Sequence, residues 1–254
     1  MGAELPSLIT TISLAYDAAL ALTYPQPCEV CGRSVESRFD GVACAACWRA
    51  TRVFSGDETV CWKCGALSLA SISQESKEKV RCRRCDTAAF TAARACGLYE
   101  GALRASILAV KREPHLARRL AQAMYESWQR APLDRATLIV PVPLHPERQK
   151  ERGFNQAAVL ANELAKHAQL PVDHTSLVRT LHTGLHRVGM DAQARRESVE
   201  HAFEVRRGRK IARERILLVD DVFTTGATVS ACASALLAAG AEEVLVLTVA
   251  RPSE

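Results

Sequence analysis

Ile216-Leu217-Leu218-Val219-Asp220-Asp221-Val222-Phe223-Thr224-Thr225-Gly226-Ala227-Thr228 is the stretch on which the fold turns. Four aliphatic residues in a row, ended by two carboxylates, read as a buried strand whose polar tip emerges at its carboxyl end. A Thr/Gly turn follows at once, and the next residues, from about Thr228 to Ala239, have helical composition up to Gly240. Strand, polar tip and helix form a β-turn-α unit, and open parallel sheets bind ligands at that edge. The turn's backbone N–H groups and the Thr224, Thr225 and Thr228 hydroxyls can surround a phosphate at a helix N-terminus, where the helix dipole also favours negative charge. Asp220 and Asp221 would repel that phosphate unless they face something else. Vicinal sugar hydroxyls are the natural partner for carboxylates, so the implied ligand group is a ribose 5-phosphate.

Working outward, Val244 to Val249 supplies a second strand after the helix, and Leu138, Ile139, Val140 and Val142 supply another before it. Val172 to Val178 is a further strand candidate. Apolar residues at helical spacing between 102 and 129, interrupted by Pro114, predict two helices, and Asn155 to Ala168 predicts a third. Pro141, Pro143 and Pro146 are expected to hold the chain extended as it leaves the strand at 138–142. Strands alternating with helices imply a parallel sheet.

The first third of the chain has a different texture. Eight of the ten cysteines fall in four Cys-x-x-Cys pairs: Cys28/Cys31, Cys44/Cys47, Cys61/Cys64 and Cys82/Cys85. Such a turn aims two thiolates at one point, and two turns complete a tetrahedral cage, so eight thiolates imply two closed structural Zn²⁺ sites. Gly32 and Gly65 follow the second cysteine of their pairs, where a tight turn requires positive φ. Sequential pairing is the simplest assignment, and a cross-braced one is also compatible with the spacing. The expected organisation is an N-terminal helix over 1–24, a double zinc ribbon over 25–90 and an α/β domain over 91–254. Cys96 and Cys232 read as buried thiols, and Trp48, Trp62 and Trp128 as packing residues.

Composition narrows the classes of function. The chain has 254 residues, is 48% hydrophobic and carries a formal net charge of +5, a balance that permits phosphate contacts without requiring a nucleic acid. No run of eighteen apolar residues predicts a membrane span. Residues 5 to 22 are apolar but interrupted by Asp17 and lack a basic leader, so an amphipathic helix is expected. Reduced, metal-binding thiols favour the cytoplasm. Residues 179 to 215 hold ten Lys/Arg against five Asp/Glu and read as a mobile basic loop.

The stretch from Ile216 to Thr228 resembles the 5-phosphoribosyl-1-pyrophosphate (PRPP) loop of type I phosphoribosyltransferases. That resemblance implies Asp220 and Asp221 at the ribose hydroxyls, as the catalytic pair, and Thr224, Thr225, Gly226, Ala227 and Thr228 around the 5-phosphate. Val140-Pro141-Val142-Pro143-Leu144, Arg148 and Arg152-Gly153-Phe154-Asn155-Gln156-Ala157 resemble the signature of the ComF family, whose members carry a cysteine-rich double zinc ribbon in front. The resemblance implies pyrophosphate at Arg152, Gly153 and Phe154. It also implies a flexible loop over about 179–202 with Arg179, Thr183 and Arg195, in which His186 and Ser198 replace the family's usual Gln and Asn. Lys111 and Arg112 resemble the family's basic pair at the ligand cleft. Implied for function are Mg²⁺-dependent PRPP binding and phosphoribosyl transfer to an unnamed acceptor, linked to competence, DNA uptake or DNA utilisation. The 6-oxopurine phosphoribosyltransferases resemble this turn but carry an aspartate where this chain has Thr224, which disfavours hypoxanthine or guanine as acceptor. The alternative is a non-catalytic competence factor that senses PRPP or binds single-stranded DNA through the zinc ribbon and basic loop, or that contacts competence-machinery proteins. Arg81, Arg83 and Arg84, interleaved with Cys82 and Cys85, would supply its positive charge.

Overall fold

The computed structural model describes residues 24–68, 80–180 and 202–253. The expected N-terminal helix, together with Thr183, His186, Arg195 and Ser198, lies outside the described residues. Short helix α1 (Ala45–Ala50) belongs to the cysteine-rich front. Then follow β1 (Ala92–Leu98), α2 (Gly101–Arg112), α3 (Arg118–Trp128), β2 (Leu138–Pro141), α4 (Pro146–Arg152) and α5 (Gln156–Ala168). The chain continues through β3 (Leu177–Arg179), β4 (Phe203–Val205), β5 (Arg215–Val222), α6 (Ala227–Ala238) and β6 (Glu243–Arg251).

β1, β6, β5 and β2 form one parallel sheet in that order, which places the strand carrying Asp220 and Asp221 between two neighbours. Its aliphatic run is buried on both faces, as a parallel strand covered by helices requires. Leu217 and Val219 enter a core with α2, α3 and α5, whereas Ile216 and Leu218 enter a second core with α6. The two cysteine clusters divide the same way. Cys28, Cys44 and Cys47 pack into the first core, and Cys61, Cys64 and Cys85 into the second. β3 and β4 make a separate antiparallel ribbon, with Arg179 opposite Phe203.

Three local expectations are corrected. Pro146 starts α4, where its missing N–H costs nothing at the first helical position, and His145 Nδ1 accepts from Glu147 N in front of it. Val172 makes only an isolated parallel bridge to Ile139, and the strand in that region runs over Leu177–Arg179. β5 extends through Val222, so both carboxylates stand on the strand itself; Asp220 still pairs with Thr248 and Val222 with Ala250 on β6. Helices α2 and α3 separate across Pro114, and α5 starts behind the Asn155 side chain, which accepts from Ala157 N. Among the described residues, no helix is long and apolar enough to cross a membrane.

Candidate functional site

The site forms where β5 and β2 end. Val142 N donates to Val219 O at 2.9 Å, and Asn155 Nδ2 donates to Val142 O at 2.9 Å, so the Arg152–Phe154 turn is tied to the strand end beside Asp220. Gly153 has φ +80°, and a Cβ built there meets nothing within 4 Å, leaving open space in front of its backbone. Arg152 Nη1 bonds Gln156 Oε1. Arg148 is exposed on α4.

Asp220 Oδ1 accepts from Asp221 N and Asp221 Oδ1 accepts from Val222 N, each at 2.8 Å, which fixes both carboxylates at the edge. Burial pushes the Asp220 carboxyl up to about 8, and the Asp221 charge beside it acts in the same direction. Asp221 Oδ2 lies 2.7 Å from Lys111 Nζ at the end of α2. Of the basic pair expected there, Lys111 faces the site, whereas Arg112 turns away to bond Glu29 in the first cysteine knuckle. Arg179 lies with its guanidinium carbon 5.4 Å from the Phe203 ring centroid, on the ribbon next to α6.

The turn itself leaves β5 at Phe223, whose N–H still reaches Ala250 O at 2.9 Å. Thr224 and Thr225 are exposed, and Thr225 Oγ1 accepts a long 3.4 Å contact from Ala227 N. Gly226 caps α6 at φ +79°; a Cβ there would stand 2.6 Å from Phe223 Cζ. The glycine is thus required twice, by its left-handed backbone and by the ring beneath it. Ala227 and Thr228 open the helix with their side chains half-buried.

Each cysteine quartet brings four sulfurs within 4.8 Å of one another, in sequential pairing: Cys28, Cys31, Cys44 and Cys47, then Cys61, Cys64, Cys82 and Cys85. Sγ–Sγ separations are 3.8 Å for Cys28/Cys47, 3.7 Å for Cys31/Cys44, 3.6 Å for Cys61/Cys85 and 3.4 Å for Cys64/Cys82. A Zn–S bond of about 2.3 Å gives a tetrahedron with edges of about 3.8 Å, whereas a disulfide needs about 2.05 Å. The thiol sets therefore fit zinc. Amide N–H groups of Cys44 and Cys82 point at Cys28 Sγ and Cys61 Sγ, each at 3.3 Å. Arg33 draws the Cys31 thiol down to about 6.

Sequence reasoning noted Gly32 and Gly65 behind their cysteine pairs but missed the bridges that close the two knuckles alike. Cys28, Cys31 and Gly32 correspond to Cys61, Cys64 and Gly65, with Gly32 N on Cys28 O and Gly65 N on Cys61 O, both at 2.8 Å. The bridges Pro27/Ser34 and Val60/Leu67 close them alike. It also missed Arg251, which is 5% exposed at the end of an otherwise apolar strand; a charge in such a run was the available signal. On the second knuckle, Arg81 pairs with Asp86 at 2.8 Å and covers Trp62 at 5.4 Å, so its charge is partly neutralised. Cys96, Cys232 and Trp48 are buried, as expected.

The carboxylate pair at a central parallel strand, the glycine-opened helix behind it and the sheet order define a protein of the type I phosphoribosyltransferase fold. A family model described as the phosphoribosyl transferase domain matches residues 154–254. Competence protein F of Haemophilus influenzae is 35% identical over 137 residues, a match covering 54% of this chain and 59% of that protein. DNA utilization protein YhgH of Escherichia coli O157:H7 is 28% identical over 238 residues, covering 91% of this chain and 99% of that protein. Competence protein ComFC of Bacillus subtilis is 32% identical over 111 residues, 42% of this chain and 41% of its own length. These relatives, the phosphoribosyl transferase domain and the two four-cysteine clusters make the chain similar to proteins of the ComF family.

Proposed function

We propose that the protein binds PRPP with Mg²⁺ at the carboxyl edge of the sheet and transfers its phosphoribosyl group to a nitrogen nucleophile. The observation that carries this reading is the pair Asp220 and Asp221 on the last residues of β5, next to the glycine-opened turn of α6. The turn would hold the 5-phosphate with the backbone N–H groups of 224–228 and the Thr224, Thr225 and Thr228 hydroxyls. The two carboxylates would accept hydrogen bonds from the ribose hydroxyls and stabilise positive charge that develops on the sugar, an electrostatic role without proton transfer. Arg152 and the open backbone face of Gly153 and Phe154 would take the pyrophosphate. Magnesium, when bound with PRPP at the edge that carries Asp220 and Asp221, would supply positive charge that neutralises the pyrophosphate leaving group. Lys111 frees its ammonium for a ligand oxygen when the sugar replaces it at Asp221.

Names of the relatives support placing this activity in competence or DNA utilisation. The domain division at about residues 24 and 90, a role for residues 179–202 as a closing loop, and action in the cytoplasm belong to the same proposal. Calorimetric titration with Mg²⁺-PRPP tests binding, and pyrophosphate release over a panel of bases tests turnover. Binding without release for any base would favour PRPP sensing over catalysis; no binding would overturn the reading. The alternative partner, single-stranded DNA, is tested by gel retardation at several salt concentrations, with contacts strongest at low salt.

A further inference from the structure

The second cysteine cluster does not stand apart from the phosphate turn. Arg251 Nη1 donates to Cys64 O at 2.9 Å, and the same guanidinium lies 5.6 Å from the centroid of the Phe223 ring. That ring is the surface on which Gly226 rests. The ring meets Phe90 edge to face, with centroids 5.9 Å apart and planes at 82°. Phe90 lies just beyond Cys85, and Ala89 N donates to Ser230 Oγ in the first turn of α6 at 3.0 Å. Two segments leaving the same zinc cluster thus grip the phosphate turn from below and from its helix. The first cluster has no such link among the described residues: its contacts run to α2 and α3, through Glu29 to Arg112 and Asp40 to Arg119.

The Arg251 guanidinium joins the knuckle carbonyl to the Phe223 ring, which holds the two in one arrangement. Movement of the Cys61–Cys64 knuckle would therefore shift Phe223, and with it the backbone of Gly226. We propose that the Cys61/Cys64/Cys82/Cys85 site positions the 5-phosphate turn, with Arg251 as the positioning residue, so that ligand at the turn and metal at this one cluster stabilise each other. Coupling of this kind is reciprocal. The inference rests on the reading of the turn as a PRPP site.

The test exposes the zinc-loaded protein to a thiol-alkylating reagent and a chelator that prefers zinc to magnesium, with and without Mg²⁺-PRPP, and follows each cysteine by peptide mass spectrometry. PRPP is expected to slow modification of Cys61, Cys64, Cys82 and Cys85 by about five-fold or more and to leave Cys28, Cys31, Cys44 and Cys47 unchanged. Arg251→Met is expected to bind PRPP about ten-fold more weakly by calorimetry and to lose the selective protection, and Arg251→Lys to restore part of both. A merely structural role would alter both clusters alike. Should Arg251→Met fail to fold, the native protein and Arg251→Lys still decide. PRPP binding with no change at either cluster, or full protection retained in both variants, overturns the coupling and leaves the PRPP reading intact. Absence of PRPP binding in the native protein overturns both.

Discussion

Lys111 Nζ and Asp221 Oδ2 stand 2.7 Å apart, joining the end of α2 to the end of β5. The contact places a cation at the carboxylate pair before any ligand arrives. Half-accessible at 30% exposure on the lysine and 13% on the aspartate, it sits where a bound sugar diol and phosphate oxygens would compete for the same two groups.

Lys111→Met should therefore act on affinity more than on folding. Removing the cation leaves Asp221 beside Asp220 without a counter-charge, and removes a donor for ligand oxygen. Mg²⁺-PRPP binding is expected to weaken about ten-fold, equal to about 1.4 kcal/mol, by calorimetry. Asp221→Ala should abolish binding. Unchanged affinity in both variants would remove these residues from the site.

Two left-handed glycines should respond differently to alanine. At Gly226 the added methyl meets the Phe223 ring at 2.6 Å, so about 1–3 kcal/mol of overpacking adds to about 1–2 kcal/mol of backbone strain. At Gly153 nothing lies within 4 Å, and only the backbone cost applies. Denaturant unfolding should show Gly226→Ala as clearly the less stable variant; equal stabilities would contradict the packing of Phe223 under the turn.

How much of this was legible follows from what each signal depends on. The Ile216–Thr228 stretch was readable because a doubly buried strand, a polar tip and a glycine turn are local features with one compatible fold. Sequential pairing of the cysteines was legible as the simplest option, and the sulfur positions decide it. α4 was missed because proline at a first helical position looks, one residue at a time, like proline in an extended segment. β1 was not read as a strand, since Ala92-Ala93-Arg94-Ala95-Cys96-Gly97-Leu98 has little β-branched character and owes its conformation to pairing with β6. Arg251 depends on a partner 187 residues away, which no spacing rule reaches, and Lys111, whose partner is 110 residues away, was legible only through the family resemblance.

Metal content gives an independent check on the front of the molecule. The protein is expected to carry two zinc ions per chain by plasma mass spectrometry. Cys44→Ser should lower this to one, whereas Cys96→Ser and Cys232→Ser should retain two, because those thiols are buried in the α/β core away from both quartets. Chelation should lower the unfolding temperature, since closed four-thiolate sites contribute their binding free energy to folding. Zinc content that is indifferent to Cys44 would sink the assignment.

Asp220 supplies a pH dependence with a definite sign. Its carboxyl ionises near 3.8 in an unfolded chain and near 8 in the folded one, where burial and the Asp221 charge oppose ionisation. Between about pH 4 and 8 the folded state keeps a proton that the unfolded state has released, so this group's contribution to stability is full below pH 4, falls through that window and is lost above 8. Asp220→Asn keeps the oxygen that accepts from Asp221 N but cannot ionise. The ligand-free variant should therefore melt above the native protein at pH 9 and approach it at pH 4, by roughly 2–4 °C for each kcal/mol recovered. A difference independent of pH would show that Asp220 does not titrate in this range. Binding of Mg²⁺-PRPP should draw the proton off: calorimetry at pH 7 in buffers of different ionisation enthalpy is expected to show about one proton released by the native protein. Asp220→Asn should lose that release along with most of the affinity.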